Sequence, residues 1–178
     1  QGKVVDTSMG MTPLPGLVMG TRCGDIDPAV VIFLVKQGIS ADDIDKLLNK
    51  KSGLLGVAGI GSGDMRDVIQ ASENGNDQAN RALYMFIHRL TSYIGSYFTI
   101  LGGADAVVFT GGIGENSAFI RGEVISHLGC LGCFLDEKTN NEVAGRVAII
   151  SSPASSLKAV VMPTNEELMI ARETLRTL

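Results

Sequence analysis

One segment of the sequence, from Ala106 to Ser117, constrains the fold more than any other. It reads Ala-Val-Val-Phe-Thr-Gly-Gly-Ile-Gly-Glu-Asn-Ser, so that apolar and β-branched residues run directly into three glycines. A continuous apolar run of this kind is typical of a strand that is buried on both faces. We therefore predict a strand over 106–110, a glycine turn after it, and then a helix capped by Asn116 or Ser117.

The glycine turn admits two interpretations. The first N–H groups of a helix that follows such a turn point at whatever occupies it, which favours an anion or a nucleotide. The same glycines are also common in tight connections between a strand and a helix that bind nothing. This segment alone leaves both interpretations open.

The rest of the pattern alternates helices with strands, which predicts an α/β layered fold. Asp27-Pro28 begins a helix that ends near Gly38, and Ser40 caps a second helix that runs through Asn49. The longest helix is predicted over 77–102, where apolar residues recur at three- and four-residue spacing. The remaining predictions are a strand ending at Val4-Val5, loops over 7–24 and 52–63, a helix start at Asp64–Arg66, a helix over 117–128, strands over 147–150 and 159–162, and a last helix from Thr164.

The composition suits one α/β domain and limits the classes of partner. The chain has 178 residues, with 45% hydrophobic and 5% aromatic side chains and 22 glycines. A net charge of −4 provides no basic surface for nucleic acid or an anionic membrane, and no apolar run approaches the ~20 residues that span a bilayer. Three cysteines in a chain of this size favour the reducing cytoplasm. Because the sequence starts at Gln1 rather than at methionine, we expect a piece of a longer chain.

One spacing resembles a metal site. His127, Cys130 and Cys133 are three residues apart, but a closed zinc site needs four ligands, and the other candidates, Cys23 and His88, are distant in sequence. The two cysteines also lie among leucines and a phenylalanine, where a free cysteine behaves as a small apolar residue. We therefore predict packing rather than metal binding.

Four segments carry polar residues that neither a core nor a plain turn requires. They are the loop 20–28 with Arg22, the segment 61–66 with an aspartate and an arginine, the glycine turn, and Pro163-Thr-Asn-Glu-Glu167. Arginine offers a planar fork that matches phosphate oxygens, and a carboxylate near bound phosphates is a typical ligand of Mg²⁺. Phosphoryl transfer requires both, together with a nucleotide site.

Together these segments resemble the acetate kinase family along the whole chain. The matching motifs, in order, are Asp6-Thr-Ser-Met-Gly-Met-Thr-Pro13, Gly20-Thr-Arg22, Gly24-Asp-Ile-Asp-Pro28, Asp64-Met-Arg66, Phe109-Thr-Gly-Gly-Ile-Gly-Glu-Asn116 and Pro163-Thr-Asn-Glu-Glu167. The resemblance implies the ribonuclease H-like core of the sugar kinase/Hsp70/actin superfold, with a mixed sheet flanked by helices. It also implies that residues 1–178 are a single domain, the C-terminal nucleotide-binding lobe of a homodimeric enzyme, without the N-terminal lobe.

The resemblance also implies roles for individual residues. Arg22 matches the arginine that stabilises charge on the phosphoryl group in transfer, and Pro13 matches a wall of the small carboxylate pocket. Glu166 matches a glutamate associated with Mg²⁺, or with Mn²⁺ in its place. The residues implied in nucleotide binding are Gly20, Asp64, Met65, Arg66, Gly112, Ile113, Gly114, Glu115 and Asn116. Plainer alternatives stay open: a surface arginine at position 22, an ordinary turn proline at position 13, and a helix cap followed by a solvated charge at Asp64–Arg66.

A local argument favours Glu166 over its neighbour as the metal-associated residue. If Thr164 is the N-cap of the last helix, Glu167 occupies the third helical position and can reach back in a capping box. Glu166 is then left free. An acidic residue in the first turn is also favoured by the helix dipole alone, and the sequence does not separate the two effects.

The reaction that the resemblance implies is the reversible transfer of the γ-phosphoryl group of ATP to acetate, which gives acetyl phosphate and ADP. Propionate or butyrate kinase activity is an alternative, and so is a non-catalytic nucleotide-binding module of the actin type. Two departures from the family pattern matter. Cys23 stands where serine is usual, and the family's histidine-led phosphate loop is absent from this sequence. We therefore expect the isolated chain to be inactive.

Overall fold

The computed structural model describes residues 2–143 and 145–177. The chain divides after Gly102 into two compact units. None of the described helices combines the length and the apolar character required to cross a membrane.

The described part of the first unit is helical. Its helices are α1 (Pro28–Lys36), α2 (Ala41–Lys50), α3 (Gly53–Ala58), α4 (Met65–Glu73) and α5 (Asp77–Ile100). Both α3 and α4 pack against α5, which is the central element of the unit. The core is formed by apolar side chains of these three helices, among them Leu54, Ala58, Val68, Ala79, Ala82, Leu83, Phe86 and Ile87.

The helices begin where capping residues predict. The Asp27 side chain accepts a hydrogen bond from the N–H of Ala29 at 2.8 Å, directly before α1. The Ser40 hydroxyl accepts one from the N–H of Asp43 at 3.2 Å, directly before α2. Each bond satisfies an N–H group that the helix itself leaves unpaired, so these predictions are confirmed.

Two predictions in this unit are wrong. The described residues around Val4 form no strand, and the Val4 side chain is 88% exposed. The segment 52–63 is not only a loop, since it contains α3. Its glycines disfavour a helix, but Leu54 and Ala58 are buried in the core, and this tertiary packing outweighs the weak intrinsic preference.

The second unit is built on a small mixed sheet. Its strands are β1 (Ala106–Phe109), β2 (Ala148–Ile149) and β3 (Lys158–Val161), in the order β1-β3-β2. Strands β1 and β3 are parallel, with Phe109 opposite Val161, and β2 is antiparallel to β3. The helices are α6 (Gly111–Asn116), α7 (Ala118–Ser126), α8 (Glu137–Glu142) and α9 (Glu166–Thr177), with a 3₁₀ turn at Gly129–Leu131. The predicted α/β class with a mixed sheet is confirmed.

The sheet is buried on one face rather than on both. Phe109 and Val161 are buried, whereas Val108 is 48% exposed and Ile149 is 56% exposed. Side chains alternate between the faces of a strand, so the apolar run of β1 places half of its residues on the open face. The prediction of a doubly buried strand is wrong for this reason.

The glycine segment is itself a helix rather than a turn. Helix α6 follows Thr110 directly, and Ser117, rather than Asn116, is the residue that caps α7. The Ser117 hydroxyl accepts from the N–H of Ile120 at 3.2 Å. Of the two cysteines with metal-like spacing, Cys133 is buried as predicted, whereas Cys130 is exposed.

A buried arginine on α7 holds α6 in place. Arg121 is 1% exposed, and its Nη1 donates to the carbonyls of Gly114 and Glu115 at 3.0 and 2.9 Å. Its Nε and Nη2 donate to the side chain and the carbonyl of Asn140 on α8, both at 2.8 Å. Burial lowers the pKa of this guanidinium, which nevertheless stays charged because arginine has the highest pKa of the side chains. Arg121 therefore links three helices through a single buried cation.

We expect Arg121→Met to destabilise the protein by about 2–4 kcal/mol, because it leaves buried carbonyl groups without a donor. The measurement is urea-induced unfolding followed by circular dichroism. Arg81 is exposed on α5, so Arg81→Met is the matched control and should change stability by less than about 0.5 kcal/mol. A loss below about 1 kcal/mol for Arg121→Met would contradict this role.

Candidate functional site

The loop that carries Arg22 is fixed by the ends of two helices. At the start of α3, the N–H groups of Leu54 and Leu55 donate to the carbonyls of Met19 and Gly20, both at 2.9 Å. At the end of α2, the carbonyl of Leu48 accepts from the N–H of Cys23 at 2.9 Å. The backbone on both sides of Arg22 is therefore held by hydrogen bonds.

The Arg22 side chain lies beside Pro13. Its Nη1 donates to the Pro13 carbonyl at 2.7 Å. Among the residues that the structure describes, no carboxylate lies within ion-pair distance of Arg22. Arg22 as a whole is half-buried, and the guanidinium donors that Pro13 does not use are available for an anion. Arg22 and Pro13, which the sequence predicts to belong to one site, are therefore neighbours.

The backbone at Gly20 touches the segment that leads to Asp64. A Cβ on Gly20 would lie 3.1 Å from the carbonyl oxygen of Gly63, and a Cβ on Gly63 would clash with the carbonyl of Gly20. The two glycines therefore allow the Arg22 loop and the start of α4 to lie side by side.

Asp64 and Arg66 form an exposed ion pair at the start of α4. Asp64 is the N-cap and accepts from the N–H of Arg66 at 2.9 Å, while Arg66 Nε and Nη2 donate to its two oxygens at 3.0 and 2.6 Å. These hydrogen bonds hold the pKa of Asp64 at about 2, below its ordinary value of 3.8. The Arg66 side chain is 88% exposed, whereas Met65 is 6% exposed and packs in the core.

The three glycines of α6, in the second unit, have different structural roles. Gly111 has a φ of +70°, which side chains rarely permit. A Cβ on Gly114 would lie 3.1 Å from the carbonyl carbon of Phe109 at the end of β1. Gly112 is exposed, and a Cβ there would have no neighbour within 4 Å. Only Gly112 has no steric reason within the described chain to be a glycine.

Glu115 uses its carboxylate to join α6 to the segment before α9. One oxygen, Oε1, accepts from the N–H of Gly111 at 2.9 Å and from the N–H and hydroxyl of Thr164 at 3.0 and 3.2 Å. The hydrogen bond from the Thr164 N–H and the others lower the pKa of Glu115. Ile113 is half-buried, and the exposed Asn116 side chain donates to the Gly112 carbonyl at 2.9 Å. Hydrogen bonds within α6 and to Thr164 therefore hold the predicted nucleotide-binding residues of this segment in place.

Glu166 is the first residue of α9 and is exposed. Thr164 is not the cap of α9, because the N–H of Leu168 donates to the side chain of Asn165 at 3.0 Å and Thr164 is engaged by Glu115. The capping argument that favours Glu166 over Glu167 therefore fails. Over residues 2–143 and 145–177, no group of three or more His, Cys, Asp or Glu side chains is arranged to hold a metal. A single free carboxylate suits Mg²⁺ only where phosphate oxygens and water complete the coordination.

Sequence reasoning missed two charged residues that organise these segments. Arg121 holds α6, and Asp25 joins the Arg22 loop to α5 through Tyr93 and Arg89. The available signal for Arg121 was its place among apolar residues, directly after Ile120. The signal for Asp25 is its place in the motif Gly24–Pro28.

The second unit also has a groove of about 720 Å³ between α7 and α8. Its walls include Phe119, Phe134 and Leu135, with Glu123 and Glu137 beside them. The buried Cys133 also lines it, but none of the residues predicted to bind nucleotide, acid or metal does.

We expect the Asp64 carboxyl to stay ionised at pH 3.5, because its pKa is about 2 in the folded protein. Since this pKa is lowered, the ion pair stabilises the fold fully above pH 3.8 and loses that effect as the pH falls through about 2. In Arg66→Ala the carboxyl should be partly protonated at pH 3.5. The measurement is ¹³C NMR of labelled aspartate, with Arg81→Ala as the control, and equal protonation in all three proteins would contradict the ion pair.

The comparisons with known proteins agree with the resemblance. The Acetokinase family model matches residues 1–172. An acetate kinase of Clostridium novyi (strain NT) is 54% identical over 174 residues, which cover 97% of this chain and 43% of the relative. The chain therefore spans less than half the length of this relative.

Two solved structures are similar in fold. The acetate kinase of Porphyromonas gingivalis matches with a TM-score of 0.92 and 45% identity, over 98% of this chain and 44% of that one. A propionate kinase from Francisella tularensis subsp. tularensis SCHU S4 matches with a TM-score of 0.88 and 46% identity, over 97% and 44%. Because the family model covers nearly the whole chain, this protein belongs to the acetokinase family.

Proposed function

We propose that this chain is the C-terminal nucleotide-binding lobe of an acetate kinase, with the ribonuclease H-like core of the sugar kinase/Hsp70/actin superfold. The reaction is the reversible transfer of the γ-phosphoryl group of ATP to acetate. Support comes from 54% identity to an acetate kinase over 97% of the chain, and from the small mixed sheet flanked by helices. We propose that a longer, cytoplasmic, homodimeric protein carries out this reaction, and we do not expect the chain alone to catalyse it.

The observation that carries this proposal is the environment of Arg22. Phosphoryl transfer depends on positive charge near the oxygens of the group in transfer. A structural arginine is normally paired with a carboxylate or saturated by carbonyls, as Arg121 is. Arg22 donates to one carbonyl, lies on a loop fixed by α2 and α3, and has no carboxylate partner in the described chain. Such a guanidinium is placed to receive an anion.

Nucleotide-binding roles are proposed for each set of predicted residues by itself. In the first unit they are proposed for Gly20 and Asp64–Arg66, where Met65 fixes the segment from within the core. In the second unit they are proposed for Gly112–Asn116, where the open surface of Gly112 admits a ligand next to the backbone and Glu115 holds the segment in shape. Glu166 is proposed to hold Mg²⁺, or Mn²⁺, together with phosphate oxygens. When bound, the metal ion neutralises phosphate charge.

The identity of the acid is a separate question. Pro13 is proposed as one wall of the carboxylate pocket, and it is fixed by the hydrogen bond from Arg22. Propionate is the second candidate, because the propionate kinase of Francisella tularensis has 46% identity to this chain. One methylene group is worth only about 1–3 kcal/mol in such a pocket, so related enzymes differ in this preference through small changes.

We expect Arg22→Ala in the full-length protein to lower kcat for acetyl phosphate formation by about 10³-fold, because the charge in the transition state loses its partner. The KM for ATP should change much less. Arg22→Lys should retain part of the activity, since it keeps the charge but not the fork. Arg81→Ala, on the exposed side of α5, is the control, and unchanged turnover in Arg22→Ala would contradict the assignment.

Gly112 and Gly114 give a second, matched test. Gly112→Ala should leave stability unchanged or raise it by up to about 1 kcal/mol, while it weakens ADP binding about 10-fold by filling the proposed ligand space. Gly114→Ala should instead cost about 1–3 kcal/mol of stability, because its Cβ presses on the backbone of Phe109. Calorimetric ADP binding and urea unfolding separate the two effects. Equal ADP affinity in Gly112→Ala and the unaltered protein would exclude a ligand at that position.

A further inference from the structure

Asp25 lies three residues after Arg22 and ties the loop of Arg22 to α5. Its Oδ2 accepts a hydrogen bond from the Tyr93 hydroxyl at 2.5 Å and lies 3.3 Å from Arg89 Nη1. Arg89 Nη2 also donates to the carbonyl of Asp25 at 3.3 Å. Tyr93 and Arg89 both belong to α5, whose first half is buried in the core of the unit. The carboxylate is therefore attached to α5 just beyond Ile87, its last buried residue.

The same residue closes the loop on itself. Asp25 Oδ1 accepts from the N–H of Gly16 at 2.8 Å, and the N–H of Asp25 donates to the carbonyl of Gly16 at 3.1 Å. Gly24 has a φ of +70°, and a Cβ on it would lie 2.6 Å from the carbonyl oxygen of Gly16. Residues 16–25 thus form a closed loop whose two ends are joined and which is fixed to α5 at Asp25.

Arg22 is part of this closed loop. Its carbonyl accepts from the N–H of Met19 at 3.1 Å, and its side chain donates only to the carbonyl of Pro13 among the hydrogen bonds that the described residues show. Because no carboxylate holds the guanidinium in that part of the chain, its direction depends on the path of the loop backbone. The hydrogen bonds to α2 and α3 hold the middle of that path, and Asp25 holds its C-terminal end.

The hydrogen bonds of this cluster persist at neutral pH. The bond to Asp25 raises the pKa of Tyr93 to about 12, so its hydroxyl keeps its proton. Partial burial pushes the pKa of Asp25 upward, but the hydrogen bonds from Tyr93 and Gly16 and the charge of Arg89 hold it below its ordinary value. The carboxylate therefore stays ionised and accepts all of these bonds.

We propose that Asp25, Tyr93 and Arg89 form an anchor that positions the Arg22 guanidinium for the phosphoryl group. These three are positioning residues, and the inference rests on the proposed function. Because Arg22 is assigned to the group in transfer, loosening the anchor should lower kcat and leave the affinity for nucleotide nearly unchanged. A displacement of about 1 Å at a reacting group is enough to lower a rate by up to about 10²-fold.

The first test is Tyr93→Phe in the full-length protein, which removes one hydroxyl and keeps the ring. We expect kcat to fall about 10-fold or more, while the KM for ATP stays within about twofold and the thermal midpoint is nearly unchanged. Tyr84 lies on the exposed side of the same helix, so Tyr84→Phe is the control and should leave kcat within about twofold. Asp25→Asn keeps one oxygen acceptor, replaces the other with an NH₂ donor and loses the charge, so its kcat should lie between those of Tyr93→Phe and Asp25→Ala.

The second test asks whether Tyr93 acts through Arg22. If it does, Tyr93→Phe added to Arg22→Lys lowers kcat by less than about twofold further, because the positioned fork is already lost. The anchor would be overturned if Tyr93→Phe lowered kcat as much in Arg22→Lys as it does in the unaltered protein. It would also be overturned if Tyr93→Phe lowered the thermal midpoint and left kcat per folded molecule unchanged. Unchanged kcat in Tyr93→Phe while Arg22→Ala is inactive would overturn it as well. Unchanged turnover in Arg22→Ala would overturn the proposed function instead.

Discussion

The second unit depends on the hydrogen bonds that the buried guanidinium of Arg121 donates to α6 and α8. A cation removed from water is costly unless nearby groups satisfy its donors, and Arg121 reaches carbonyl or amide oxygens on both α6 and α8. It lies at the C-terminal end of α6, where a positive charge is also favoured by the helix dipole. This explains how a six-residue segment with three glycines holds a helical shape. Through Glu115, the same segment also fixes Thr164, two residues before Glu166.

The charged residues of the chain divide into two groups by the number of their partners. Asp25, Asp64, Glu115 and Arg121 each engage several protein donors or acceptors, which is typical of residues that hold segments in shape. Arg22 and Glu166 engage few or none within the described ranges. Arg22 lies on backbone that α2 and α3 hold in place, so its unused donors keep a fixed direction, which supports the role proposed for it. Glu166 is exposed and its charge is stabilised by solvent, so its proposed role rests on the resemblance to the family.

The sequence predicted the features whose cause is local. Asp27, Ser40 and Ser117 cap helices through their own side chains, and the long apolar periodicity of α5 is a property of consecutive residues. Features that depend on distant contacts were not accessible. Helix α3 forms because Leu54 is buried and its N–H donates to the Met19 carbonyl. Asn165 rather than Thr164 caps α9, because Thr164 donates its hydrogen bonds to Glu115. The exposed face of β1 was also not predictable, since an apolar run in the sequence does not show whether other elements cover both faces of the strand.

The three glycines of α6 look alike in the sequence but are subject to different demands. Position 111 tolerates only residues that adopt a left-handed backbone, such as asparagine, and position 114 has almost no room beside Phe109. Position 112 is sterically open in the described chain, so any selection against a side chain there must originate outside the fold. Substitutions accumulated over evolution at these three sites would therefore record three separate pressures: backbone geometry, internal packing and an external ligand.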